Sequence, residues 1–256
     1  MNYIYYMDVF FVFVFGAIFG SFLNVIVYRL PQLSHKTPSY KKFLYLCFPR
    51  SYCTSCKKTI AIFDLFPIIS FFNLKGKCRY CNTKISLRYP IVEVVTACLF
   101  VVAYLQYGLT MRSLILCIII FLLLSLAIID WETFTLPDEL NYLLLIFSAI
   151  NLYINNNINI IISGLLSGLL AFSLLYIIHK YYMIVKGKNA LGFGDVKLIL
   201  SIGFLVPFPN LFQVLIISSL LGIILLLIKK RYSNKELTEP VQFGTLLIFT
   251  TFLYIF

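Results

Sequence analysis

The chain has 256 residues, of which 61% are hydrophobic and 12% charged, with a net charge of +11. That balance lies far from the average of globular proteins and directs the reading towards a membrane protein. The positive charge invites a nucleic-acid reading, but its placement argues against one. Nearly every Lys and Arg falls within Arg29–Arg88, Lys180–Lys197 or Lys229–Lys235.

A membrane-spanning helix needs ~20 mainly apolar residues, and that ruler gives about eight candidates. In chain order they are Val9–Tyr28, Pro90–Gln106, Arg112–Ile129, Leu140–Ile154, Ile160–Tyr182, Val196–Leu205, Leu211–Ile228 and Val241–Phe256. The sixth is short, so it is either partly re-entrant or has a glycine-rich lead-in satisfied inside protein. Alternating sides along eight spans puts all three basic clusters on one face, with Arg112 alone opposite. By the positive-inside rule that face is cytoplasmic and both termini are outside. The first span is not a cleavable signal peptide, since it lacks a basic leading region and a small-residue cleavage site. The expected fold is an all-α polytopic membrane protein of about eight transmembrane helices. A small cytoplasmic zinc-binding insertion is expected between helices 1 and 2. The domains are then 1–31, a first helix; 32–88, a cytoplasmic four-cysteine segment; and 89–256, a transmembrane core.

In the first span Gly16 and Gly20 stand four residues apart, on one helix face, and predict close helix packing. Asn24 follows, and a buried amide there needs a partner, either another helix or a substrate. Residues 32–88 form the one sizeable polar segment. Within it Cys53 and Cys56, then Cys78 and Cys81, make two CxxC pairs with 21 residues between them. Four thiolates in two knuckles suit tetrahedral zinc, at a spacing close to the zinc-ribbon pattern. Disulfides or a redox CxxC are disfavoured on a cytoplasmic face, where thiols stay reduced. A segment this small needs the folding free energy a metal supplies. Cys98 and Cys117 read as small core residues.

The stretch Ile60–Phe72 is unusually apolar for a loop and is expected to pack on the membrane surface or on helix ends. Glu93 reads either as an acid in the first turn of the second span or as a buried partner for Arg88 or a cationic substrate group. Between spans three and four, four acids (Asp130, Glu132, Asp138 and Glu139) stand where positive charge is expected. Trp131 suits the interfacial belt. Gly164 and Gly168 again predict packing, and the lone histidines His35 and His179 receive no role.

The stretch Leu191–Leu198 carries Gly192-Phe193-Gly194-Asp195 directly before an apolar run. Ionisable residues at membrane depth usually mark function. With Asp130, or with Asp138, Asp195 suggests an aspartic dyad sharing one proton; periodicity does not choose between the two partners. The bland reading of Asp195 is a helix N-cap. A helix start favours the ionised form at Asp195 and a helix end disfavours it at Asp130. On that basis Asp195 is expected to act as the base towards water and Asp130 as the acid towards the scissile carbonyl.

Taken together, these residues resemble the type IV prepilin peptidases along essentially the whole chain. The matching pieces are Gly20–Val25 with Tyr28–Pro31, Arg50-Ser51, the four cysteines, Ile85–Glu93, Asp130 with Leu136-Pro137-Asp138, and Gly192–Leu198. The resemblance implies a membrane aspartic peptidase of the GxGD type with Asp130 and Asp195 as its catalytic pair. Such enzymes cut the basic leader from prepilins and pseudopilins, after a glycine, at the cytoplasmic face of the bacterial inner membrane. It also implies N-methylation of the new terminus with S-adenosylmethionine, an activity that the cysteine segment accompanies. The implied partners are therefore prepilins or pseudopilins and the lipid bilayer, with no nucleic acid. The sequence departs from the family at Asp64-Leu65-Phe66-Pro67, which lacks an Asn, and at Phe243-Gly244-Thr245, where Pro is usual. Neither departure is expected to touch the dyad. Two other readings remain open on the residues alone. A non-enzymatic zinc-ribbon assembly component explains the spans and cysteines but not two acids at one depth. A membrane thiol-redox protein would depend on the cysteines and be indifferent to the aspartates.

Overall fold

A computed structural model describes residues 2–33, 37–155, 157–187, 192–233 and 241–256. His35 and Leu191 lie outside the described residues, as do Lys188 and Lys235 of the basic clusters. Ten α-helices and no strand occur among the described residues: α1 (Asn2–Arg29), α2 (Ser39–Cys47), α3 (Ile69–Asn73), α4 (Arg88–Tyr107), α5 (Met111–Thr133), α6 (Asp138–Ile154), α7 (Ile158–Lys186), α8 (Phe193–Leu205), α9 (Asn210–Ser233) and α10 (Phe243–Ile255). Every apolar run read from the sequence is a helix here. Among the described residues, five segments are long and apolar enough to cross a bilayer: Tyr5–Gln32, Arg88–Tyr107, Met111–Thr133, Ile158–Val185 and Asn210–Arg231. The expected eight spans are not reached by that measure, because α6, α8 and α10 have only 17, 13 and 13 residues. A helix that short cannot cover ~30 Å of hydrocarbon unaided.

The chain divides into two compact units, Met1–Phe121 and Leu122–Phe256, with the division inside α5. In the first unit α1 packs along α4. The Cβ that any other residue would place at Gly16 falls 2.7 Å from the Ala97 Cα, and at Gly20 it falls 2.7 Å from the Glu93 Cα. The glycine pair is therefore the seam through which two backbones approach, as its spacing predicts. Phe19 and Phe22 pack against Phe121 at ring separations of 5.8 and 6.2 Å. Cys98 is exposed rather than a core residue, so its side chain faces the surroundings of the helix.

In the second unit α8 is the central element. Val196, Leu198, Ile199, Ser201 and Ile202 are all fully buried, so protein rather than lipid covers most of its surface. Its crossing with α7 depends on small residues, since a Cβ at Gly203 would stand 2.3 Å from the Gly168 Cα. Ser167 Oγ also donates to the Gly203 carbonyl at 3.0 Å. The start of α8 is less covered, since Gly192 and Phe193 are exposed.

Candidate active site

Asp130 lies in the last turn of α5 and is 5% exposed. Asp195 is the third residue of α8, whose N-cap is Gly192. It is not the N-cap that its position suggests. Instead its carboxylate reaches back to the Gly192 N–H, the reciprocal half of a capping box. Asp138 is held elsewhere: its Oδ1 accepts a hydrogen bond from Lys197 Nζ at 2.7 Å, out in solvent. The structure thus brings Asp195 together with Asp130, and Asp138 is engaged by a lysine.

Gly244 is the third wall. A Cβ built there would lie 2.8 Å from Asp195 Oδ1 and 3.1 Å from Asp130 Oδ2, so the two carboxylates crowd around one point. Leu136 Cδ1 would lie 3.0 Å from the same point, and Leu136 Cβ comes within 2.9 Å of a Cβ built at Gly194. Leu136, from the connection between α5 and α6, therefore wedges between the starts of α8 and α10. Only glycines at 194 and 244 leave it and the acids that room.

The next residue holds Asp130. Thr245 holds Asp130 Oδ2 from two atoms: its backbone N–H donates at 2.7 Å, and its Oγ1, 2.8 Å away, shares its one hydroxyl proton between that oxygen and the Ala127 carbonyl at 3.0 Å. Thr245 is the third residue of α10, and its N–H is one of the donors a helix start leaves without an internal partner. The Asp130 carboxylate meets that need. Two helix N-termini, of α8 and α10, face the acid pair with the positive ends of their dipoles. The departure Phe243-Gly244-Thr245 therefore touches the dyad directly, contrary to the expectation from sequence. A proline at 245 could offer neither donor. Gly244, Thr245 and Leu136 are site residues to which the sequence reading gives no role, although Leu136 stands in a matched motif and Gly244-Thr245 in a departure from the family.

In the first unit the four cysteines form two similar knuckles. The Cys53 N–H donates to the Lys58 carbonyl at 2.9 Å, and the Cys78 N–H to the Thr83 carbonyl at 2.9 Å. The residue after each second cysteine, Lys57 or Asn82, takes a left-handed backbone with φ of 59° or 55°. All four sulfurs lie within 4.8 Å of one another, and Cys53 and Cys81 are 3.8 Å apart. Tetrahedral sites with metal–sulfur bonds of about 2.3 Å have sulfurs roughly 3.8 Å apart, so the cluster has the dimensions of a metal site. None of the cysteines is in a disulfide. The Thr83 hydroxyl and N–H hold the Cys81 thiol down to about 6. The Cys56 N–H lowers Cys53. At Cys56 the Lys58 N–H pulls downwards, but lost solvent and the neighbouring Cys53 and Cys81 push the thiol up to about 11. Asp64, in the stretch between the knuckles, is clamped by Arg79 Nε at 2.7 Å, which holds its carboxyl below the usual range.

That stretch exposes large apolar groups: Ile62, Phe63, Ile69 and Phe72 are 61–81% exposed. Glu93 is not in the first turn of α4; its Oε2 accepts the Ile68 N–H at 2.7 Å. Asn24 Nδ2 donates to the carbonyls of Gly20 and Tyr89 at 3.3 and 3.2 Å. Its expected partner is thus α1 itself and the start of α4.

A polytopic, all-helical membrane protein with an acid pair set against the starts of two helices and a four-thiol cluster is a narrow class. Residues 14–107 match the family described as Bacterial Peptidase A24 N-terminal domain, and residues 117–227 match the Type IV leader peptidase family. A protein of Pectobacterium carotovorum subsp. carotovorum named prepilin leader peptidase/N-methyltransferase is 33% identical over 90% of this chain and 86% of its own length. A Klebsiella pneumoniae protein of the same name is 34% identical over 82% of this chain and 90% of its own length. One from Escherichia coli, named type 4 prepilin-like proteins leader peptide-processing enzyme, is 35% identical over 84% of this chain and 83% of its own. The chain belongs to the type IV leader peptidase family. No solved structure matches it.

Proposed function

We propose that this chain is a membrane aspartic endopeptidase that removes the leader of prepilins or pseudopilins and then methylates the new N-terminus. The observation that carries the peptidase reading is the convergence of Asp130 and Asp195 on the face of Gly244. Two carboxylates crowded around one point can share a proton, as in an aspartic dyad. Asp195 takes a proton from water, and the resulting oxygen attacks the scissile carbonyl carbon. Asp130 supplies its proton to the carbonyl oxygen. Because Thr245 occupies Oδ2 from two atoms, the oxygen that exchanges that proton is Oδ1. Collapse of the tetrahedral species then breaks the carbon–nitrogen bond, with the leaving amine protonated by the dyad.

All eight apolar helices belong to the membrane body, the short α6, α8 and α10 being completed by their neighbours, and the acid pair lies at the cytoplasmic boundary of the inner membrane. A prepilin carries its basic leader in the cytoplasm and an apolar helix in the bilayer, which puts its scissile bond at that depth. The four cysteines would hold a structural zinc ion that ties the two knuckles together; the 3.8 Å sulfur separation supports this. S-Adenosylmethionine supplies the methyl group. The exposed Phe63 and Ile62 rest on the lipid surface. Incubating the purified chain in detergent with a prepilin tests the reading. Leader release supports it, whereas an inert wild type with a bound metal points to the assembly-component alternative.

A further inference from the structure

Leu136 is held beside the acid pair from both ends of its connection. On one side the Phe134 N–H donates to the Asp130 carbonyl at 2.9 Å, and Phe134 turns the chain with a left-handed φ of 55°. On the other, Pro137 restricts Leu136 to an extended backbone, and the Pro137 carbonyl accepts the Asn141 N–H at 3.2 Å. The leucine side chain fixed in this way is half-buried, so part of it stays open beside the carboxylates. Leu136 Cδ1, Asp195 Oδ1 and Asp130 Oδ2 all come within 3.1 Å of the single point where a Cβ at Gly244 would stand. Leu136 Cβ also fills the space that a side chain at Gly194 would need. The proton transfers of the peptidase reaction do not use this leucine.

We infer that Leu136 determines specificity: it limits the substrate residue before the cleaved bond to one without a side chain. The inference rests on the peptidase reading of the acid pair. For attack, the scissile carbonyl carbon must come within ~3–3.5 Å of the water-derived oxygen that the dyad activates. The Cα of the residue before the bond is ~1.5 Å from that carbon. Its side chain therefore starts among the groups that border the dyad. Two of these are the carboxylates themselves, and the third is the Leu136 isobutyl group. A Cβ on the substrate meets that group, whereas a glycine does not. The residue after the bond opens the apolar helix of a prepilin and brings a side chain of its own. The tight wall thus falls to the leader side. Glycine is the residue that fits there, and alanine is the first that Leu136 excludes.

The test uses the full chain purified in detergent and two prepilins that differ only in carrying glycine or alanine before the cleaved bond. One methyl group in a closed apolar pocket discriminates by about 10–200-fold. The wild type should therefore cleave the glycine form about 100-fold better in kcat/KM. Leu136→Ala should lower that ratio about tenfold or more. The ratio cancels any general loss of rate from looser packing around the acids. Leu136→Val keeps a branched side chain suited to extended backbone and decides the matter where Leu136→Ala fails to fold; it should move the ratio the same way. An unchanged ratio in a folded variant overturns the assignment, as does a wild type that cleaves both forms equally well. In either case the peptidase reading stands. A wild type inert towards both forms removes that reading and this inference with it.

Discussion

Gly244→Ala is the sharpest probe of the acid pair. The added methyl would stand 2.8 Å from Asp195 Oδ1, 3.0 Å from Leu136 Cδ1 and 3.1 Å from Asp130 Oδ2. Ordinary contacts settle near ~3.5 Å, so each neighbour must retreat by roughly half an ångström, and the two carboxylates must move apart. A displacement of about 1 Å in a catalytic arrangement costs on the order of 100-fold in rate. Stability should change little. Gly244 is helical, and alanine in a helix gains about 1 kcal/mol over glycine, offsetting part of an overpacking cost of about 1–3 kcal/mol. The assay is the cleavage rate of a prepilin by purified protein, paired with melting temperature and helical content. The account predicts a folded protein that cleaves roughly two orders of magnitude more slowly. A folded Gly244→Ala variant cleaving at the wild-type rate would refute the shared-carboxylate geometry.

The remaining predictions are narrower. Thr245→Val removes the Oγ1 donor at 2.8 Å while leaving the backbone N–H; it should slow cleavage about tenfold or more, with Thr245→Ser restoring the rate. A valine variant with normal kinetics would make the hydroxyl incidental. Cys81→Ser should lower bound metal measured by elemental analysis and expose residues 32–88 to protease, while unaltered metal content would remove the four-thiol site. The Asp64–Arg79 clamp gives a pH signature. The folded carboxyl sits below its unfolded value, so its stabilisation is complete above the unfolded range near ~4 and is lost as pH falls through the folded value. Protease resistance of the segment should therefore decline more steeply in acid for the wild type than for Asp64→Asn, and identical profiles would dismiss the clamp.

Much of this architecture is legible in the sequence, because its signals are local. Apolar runs gave every membrane helix, Gly16 and Gly20 gave the α1–α4 seam, and the CxxC spacing gave a cluster whose sulfurs do converge. What the sequence hid depends on distance along the chain. Thr245 meets Asp130 across 115 positions, and nothing local to either residue announces it. Asp195 looked like an N-cap because a short acid before an apolar run has that pattern, but α8 begins earlier, at Phe193. Glu93 was expected to use the helix dipole or Arg88, whereas its partner is the backbone of a strained turn 25 positions away. The count of spans was set by hydropathy alone, which cannot separate lipid-facing helices from short ones wrapped in protein such as α8.

The central claim is that Asp130 and Asp195 together cut the leader of a prepilin. Its most direct test is the intact mass of a co-expressed prepilin recovered with the wild type, with Asp130→Asn and with Asp195→Asn, each confirmed folded and membrane-inserted. The account predicts mature pilin only with the wild type and full-length precursor with both variants. Mature pilin produced by either variant at wild-type levels would contradict it.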